Sequence, residues 1–201
     1  MSIVLLVEGR TEGALTNKIK EFLDQRAHAH GHPKVALKPK PIVNTDEADL
    51  GRRIKLELQN ARVIAVVGLI DVFPNFKNAE AAKNFLRSAA NKAGVVEGFY
   101  AHAAQYDVEA WLLPYWDDIC RRLGVNQGRP GNDPEQVDDI KPPSYHLKGL
   151  YQRANPPRKY VKTTQMPAIL KNKDLTISAN ACPEFKSLLN TLLKLNDLPL
   201  L

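Results

Sequence analysis

"RVIAVVGLIDVF", residues 62–73, decides the fold. From Val63 to Ile70 every residue is apolar or glycine, and the run then stops on Asp71. A strand with one wet face alternates apolar and polar side chains. This one does not, so both of its faces are buried, as in the middle of a parallel sheet. Parallel strands need long crossover connections, usually helical, and helical spacing is present on either side of this strand.

Upstream, Ile3 to Val7 form a second unbroken apolar run that ends on Glu8. Gly9 and Thr11 then read as a turn and a helix N-cap, and Leu15, Ile19, Phe22 and Leu23 keep helical spacing to about Gln25. His28, His30 and His32 follow in a solvated loop. "VALKPKPIV" (35–43) is a weak strand whose prolines suit a sheet edge. "TDEADLGRRIKLELQNA" (45–61) opens with Thr45 as a cap and places Leu50, Ile54 and Leu58 on one helical face. Downstream, residues 78–94 predict a helix ended by Gly94, residues 98–107 a fourth strand, and residues 108–124 a helical stretch broken at Pro114. Strand and helix alternate four times, which predicts an α/β domain over residues 1–124 with a central, largely parallel sheet flanked by helices.

From Val125 the texture changes. Residues 126–139 are turn-rich and predict a mobile loop. Short helices are expected around 145–152 and 164–171, and "CPEFKSLLNTLLKLN" (182–196) aligns Phe185, Leu188, Leu189, Leu192 and Leu193 on a face that would dock on the sheet. Residues 125–201 thus read as a basic, mostly helical C-terminal extension packing on the same domain.

Composition narrows the class. Hydrophobic content of 44% and charged content of 25% are those of a globular chain, which excludes wholesale disorder. No apolar run is long enough for a bilayer, so no membrane partner is expected, and the opening run is too short for a signal peptide. Cys120 and Cys182 lack metal-ligand spacing, which points to a reducing, cytoplasmic setting. Of the net charge of +6, residues 126–201 carry +4, from 11 basic against 7 acidic residues. Lys141 to Lys173 hold eight basic residues and no acid, interleaved with Tyr145, Tyr151 and Tyr160. Basic groups neutralise phosphates and aromatic faces stack on unpaired bases, so nucleic acid (DNA or RNA) is the expected partner, with Lys148, Arg153, Arg158 and Lys159 on its backbone. A solvated surface that only keeps the protein soluble is the competing reading.

Three acids fall at strand ends. Glu8 closes the first strand, Asp71 the third, and Glu109 lies just past the fourth. In open parallel sheets ligands gather at the carboxyl ends of the strands. Crowded carboxylates repel and recruit a cation, and hard oxygen donors favour Mg²⁺ or Mn²⁺. Each acid also has an ordinary explanation: Glu8 as a turn acid, Asp71 in an Asx-type turn toward Pro74, Glu109 in the first turn of a helix. Their coincidence favours a site.

"LLVEGRTEG" followed by "VVGLIDVFPNF" resembles the TOPRIM fold of topoisomerases, primases and overcoming-lysogenization-defect-type nucleases, a Rossmann-like architecture. With "HAAQYDVEAWLL" added, the chain is more similar to a TOPRIM-like family usually recorded as a domain of unknown function, akin to RloB-type proteins with a Glu-x-Trp-Leu-Leu segment, here Glu109 to Leu113. The resemblance covers about the first 120 residues. It implies metal binding by Glu8 and Asp71, with Glu109 as a third ligand and Glu8 as the catalytic acid or base. It also implies an ATPase partner and a place in phage defence. One position departs from the pattern: the second aspartate of Asp-x-Asp is replaced by Phe73, so Asp107 or Glu109 would have to substitute, or the site binds one metal or none.

The resulting expectation is a divalent-metal-dependent nuclease. A catalytically inactive nucleic-acid-binding or regulatory partner protein is the alternative, and an enzyme acting on a small nucleotide ranks below both because no phosphate-cradling glycine motif is present.

Overall fold

The structure, a computed structural model, describes residues 1–8, 13–42, 46–136 and 141–201. Strand β3 (Val63–Asp71) lies inside a four-stranded sheet between β1 (Ser2–Glu8) and β4 (Phe99–Ala104), with β2 (Leu37–Ile42) at the edge beside β1. Every neighbouring pair is parallel, as the unbroken apolar runs predict. Pro39 and Pro41 pair with Leu5 and Val7. Successive residues of a strand turn their N–H groups to opposite sides, so prolines two apart remove donors from one side only. On an edge strand that is the side without a neighbour.

Alternation along the central strands divides the core. Val4, Leu6, Val66 and Ile70 pack toward α2 (Glu47–Leu58) and α3 (Ala79–Lys92). Ile3, Leu5, Val7, Val67 and Leu69 face α1 (Gly13–Ala29) and the C-terminal helices. After β4 a 3-10 helix (Val108–Tyr115) runs into α4 (Trp116–Leu123), so Pro114 sits where one helix type gives way to the other. Then come α5 (Pro143–Gln152), α6 (Lys162–Leu170), α7 (Leu175–Ala181) and α8 (Pro183–Lys194). Phe185 of α8 stacks on Trp111 at 4.5 Å, and both belong to the core that contains β1 and β3. The segment after residue 125 therefore shares its interior with the sheet.

Several boundaries differ from the sequence reading. Helix α1 runs to Ala29 and takes in His28; His28, His30 and His32 are all exposed. Thr11 and Thr45 lie outside the described residues, and the cap of α2 is Asp46, whose carboxylate accepts from the N–H groups of Ala48 and Asp49. Helix α7 has no counterpart in the sequence pattern, because its seven residues span too few turns to display a period. Residues 126–136 lack regular structure but are anchored. Trp116 Nε1 donates to the Gln127 carbonyl at 2.8 Å. The buried Glu135 carboxylate accepts from Trp111 Nε1 at 3.1 Å and from the Glu184 N–H at 3.1 Å. Two tryptophan N–H groups that need buried partners are met by this stretch, while residues 137–139 of the expected loop lie outside the described residues.

Helices α2 and α3 meet at Gly51, where a Cβ would lie 2.3 Å from the Ala89 carbonyl oxygen. Gly→Ala in a helix interior ordinarily gains about 1 kcal/mol. Here backbone would have to move, and overpacking of that kind costs roughly 1–3 kcal/mol. Gly51→Ala is expected to lower the urea midpoint at unchanged m-value, against the propensity trend.

Candidate functional site

Because the four strands are parallel, their carboxyl ends share one rim of the sheet. Alternation nevertheless separates the two leading acids. Glu8 follows Val4 and Leu6 toward the α2/α3 face, whereas Asp71 follows Val67 and Leu69 toward the opposite face. The Glu8 carboxylate reaches back across the rim, where its Oε2 accepts from the Asp71 N–H at 3.2 Å. It lines a hollow of about 190 Å³ with Ile42, Leu50, Asn75, Phe76 and Phe85. Glu8 and Asp71 are thus joined by a hydrogen bond from backbone to side chain.

A second cleft, of about 300 Å³, gathers the other acids. Asp71 Oδ1 accepts from the Val108 N–H at 3.1 Å, capping the 3-10 helix, and Oδ2 lies 3.8 Å from Lys162 Nζ. Glu109, on the first turn of that helix and 2% exposed, places Oε2 at 3.2 Å from the same ammonium. Its Oε1 accepts from the Tyr160 hydroxyl at 3.5 Å. Asp107 lies beside them. One of its oxygens accepts from the Ser144 N–H at 3.2 Å, while Oδ1 is buried without a partner. Lys148 and Phe73 complete the lining. Phe73, at the position of the missing aspartate, is 45% exposed, and its N–H donates to the Tyr106 carbonyl at 2.7 Å.

Local sequence sets this geometry. Tyr106 adopts a left-handed conformation (φ 66°), which turns the chain sharply after β4 and starts the 3-10 helix beside Asp71. Lys162 is the first residue of α6, and Tyr160 stands two residues before it. Both reach Glu109 from the C-terminal extension, so the cleft is built jointly by the strand ends and by the segment after residue 125.

Burial raises the Glu109 carboxyl from an ordinary 4.5 to about 7; the neighbouring Asp107 charge pushes the same way and Lys162 opposes it. Burial also raises Asp107, despite the Ser144 hydrogen bond. Tyr160 is raised by burial and by the Glu109 charge, which keeps its hydroxyl a donor. A carboxyl that titrates near neutrality inside a cleft is suited to move protons.

The donor chemistry fits a hard cation. It is all oxygen, and both Glu109 Oε2 and Asp107 Oδ1 are buried without an aligned hydrogen bond. Among the described residues, however, no three His, Cys, Asp or Glu side chains are drawn together as a ligand set. The point where the carboxylates converge holds the Lys162 ammonium.

Of the expected nucleic-acid contacts, Lys148 stands at the cleft, Arg158 and Lys159 are exposed between α5 and α6, and Arg153 is exposed and bonded to Gln127. Two of the three tyrosines are not stacking platforms: Tyr151 and Tyr160 are buried against each other at 5.3 Å. Tyr145 is exposed, with Lys141 over its ring. Trp111 and Trp116 are core residues. In the sequence Lys162 is only one of eight basic residues, and its role in the cleft is missed there, along with those of Tyr160 and Ser144. Its one local signal is its place directly after the buried Tyr160 and exposed Val161, ahead of α6.

The model of a protein family described as Domain of unknown function (DUF4276) matches residues 7–193, and the chain belongs to that family. No curated protein and no solved structure matches it.

Proposed function

We propose that this family member is a divalent-cation-dependent phosphodiester hydrolase of TOPRIM-like type that acts on nucleic acid. The observation that carries the reading is the convergence of Asp71 and Glu109 on one cationic point at the carboxyl rim of a parallel sheet, beside an acid-free basic segment. Asp71 and Glu109 would hold Mg²⁺ or Mn²⁺, which when bound supplies Lewis-acid polarisation of a phosphate oxygen. Asp107, buried beside Glu109 with one oxygen unpartnered, would receive the proton of the attacking water and return it to the sugar oxygen that leaves as the P–O bond breaks. Tyr160 fixes the Glu109 carboxylate through its hydroxyl, and Glu8 fixes the end of β3 through the Asp71 N–H. Glu8 is thereby a positioning residue in this scheme, rather than the catalytic one the resemblance implies. Lys148 at the cleft and Arg158 and Lys159 beyond it hold the phosphate backbone. The resemblance that suggests the chemistry also suggests an ATPase partner.

A second reading, a nucleic-acid-binding partner protein without catalysis, is favoured by one specific observation: Lys162 already neutralises the carboxylates, and Phe73 stands where a further acid would. Incubation with plasmid, single-stranded DNA and RNA under Mg²⁺, Mn²⁺ or EDTA separates the two. Cleavage that requires the cation supports hydrolysis. Salt-sensitive binding with no cleavage under any cation rejects it in favour of the second reading.

A further inference from the structure

We infer that Lys162 is an exchangeable internal counter-ion: it leaves the carboxylates when a divalent cation takes its place, and it then joins Lys148 at the cleft mouth to bind a substrate phosphate. The inference rests on the hydrolase reading for its cation site and adds a linkage between cation and substrate.

The argument begins with charge. Asp71, Asp107 and Glu109 line one cleft, in which Glu109 is 2% and Asp107 6% exposed. Buried carboxylates without a partner are strongly destabilising, so the protein without a divalent cation needs a positive charge there. Lys162 supplies it, at 3.2 Å from Glu109 and 3.8 Å from Asp71. The hold is loose. Neither distance is that of a tight charge-assisted hydrogen bond, and Glu109 Oε2 makes no aligned one. A divalent ion brings twice the charge and accepts several carboxylate oxygens at once, so it competes well for this point.

Position makes exchange feasible. Lys162 opens α6 beside the exposed Val161, and its side chain is 20% exposed. A flexible four-carbon stem anchored there can swing to the mouth while Met166, Ile169 and Leu170 keep the helix seated in the core. Lys148 is exposed on the same cleft. Two lysines at the mouth form an anion site that exists only after exchange. Cation binding thus strengthens phosphate binding, and by linkage phosphate strengthens cation binding.

The test measures binding. Mn²⁺ affinity is read from the free-ion electron paramagnetic resonance signal for the wild-type protein, Lys162→Met and Lys162→Arg. Removing the competing charge is expected to tighten Mn²⁺ about tenfold in Lys162→Met, a change of about 1.4 kcal/mol, and to leave Lys162→Arg near wild type. In parallel, the anisotropy of a labelled phosphorothioate oligonucleotide is followed with Mn²⁺ or EDTA. Mn²⁺ should tighten its binding to the wild type about tenfold, by the same arithmetic, and have little effect on Lys162→Met. Unchanged or weaker Mn²⁺ binding by a folded Lys162→Met overturns the inference. So does oligonucleotide binding by the wild type that ignores Mn²⁺, an arm that decides the matter alone if Lys162→Met does not fold. A gain in Mn²⁺ affinity together with no cleavage by the wild type upholds the exchange and removes the hydrolase reading instead.

Discussion

Asp71→Asn and Glu109→Gln are each expected to reduce cation-dependent strand cleavage by at least 100-fold, which corresponds to about 2.7 kcal/mol of lost transition-state stabilisation. Both substitutions keep shape and an acceptor oxygen. The amide oxygen of the first can still cap the Val108 N–H, and that of the second can still receive the Tyr160 hydroxyl. What they remove is negative charge at the point where a cation would sit. Glu8→Gln sets the contrast. Its amide oxygen can still accept from the Asp71 N–H, and its side chain lines the other hollow, so a loss of less than about tenfold is expected, or about 1.4 kcal/mol. Initial rates at saturating Mn²⁺, with circular dichroism as a check on folding, provide the comparison. Equal losses at Glu8 and Asp71 would return Glu8 to the catalytic role that the resemblance implies. Full activity in Glu109→Gln would remove the cleft from the mechanism.

The different placement of Glu8 and Asp71 shows how far the sequence can be read. Unbroken apolar runs at Ile3–Val7 and Val63–Ile70 specify parallel strands, buried over Ile3–Val7 and Ala65–Ile70, because only a sheet covered on both faces tolerates them. The same runs conceal which face the terminal acid joins. With no polar alternation to mark the register, the parity of Glu8 and Asp71 appears only once Val4 and Val67 are seen to pack on opposite sides. Glu109 is legible as a strand-end acid, and Asp107 as its nearest substitute ligand. Lys162 is not, because it comes from 53 positions further along the chain and meets Glu109 only through the docking of α6. Tyr151 and Tyr160 mislead for a related reason: basic neighbours in sequence suggest a surface, while their rings pack inward with Leu147 and Leu150. Local pattern reports periodicity and charge. It does not report which distant segment closes a cleft.

Glu109→Gln should also make the protein more stable near neutral pH. In the folded state the Glu109 carboxyl titrates at about 7 instead of 4.5. Between those values the folded protein binds a proton that the unfolded chain has released, so stability falls as pH rises across the window. A displacement of this size corresponds to on the order of 3 kcal/mol, absent below pH 4.5 and fully developed above 7. Asp107 is raised by burial too, and its contribution has the same sign. His102 works in the opposite direction. It is buried on β4, with Nε2 at 3.0 Å from Thr191 Oγ1, and burial first, then the nearby Lys83 and Arg87 charges, lower it from 6.5 to about 4. The unfolded chain takes up that proton first, so the His102 contribution is present above pH 6.5 and is lost as pH falls toward 4. The two windows overlap, which makes the wild-type profile flatter than either group alone would give. Urea unfolding from pH 4 to pH 8 separates them. Relative to wild type, Glu109→Gln should show a stabilisation that grows from near zero at pH 4.5 to about 3 kcal/mol at pH 7. His102→Gln should show its relative gain at the acid end instead. A pH-independent offset for Glu109→Gln would mean that the carboxyl is neither buried nor perturbed as described. A stabilised but inactive Glu109→Gln would identify the charge as one retained for chemistry at the expense of the fold.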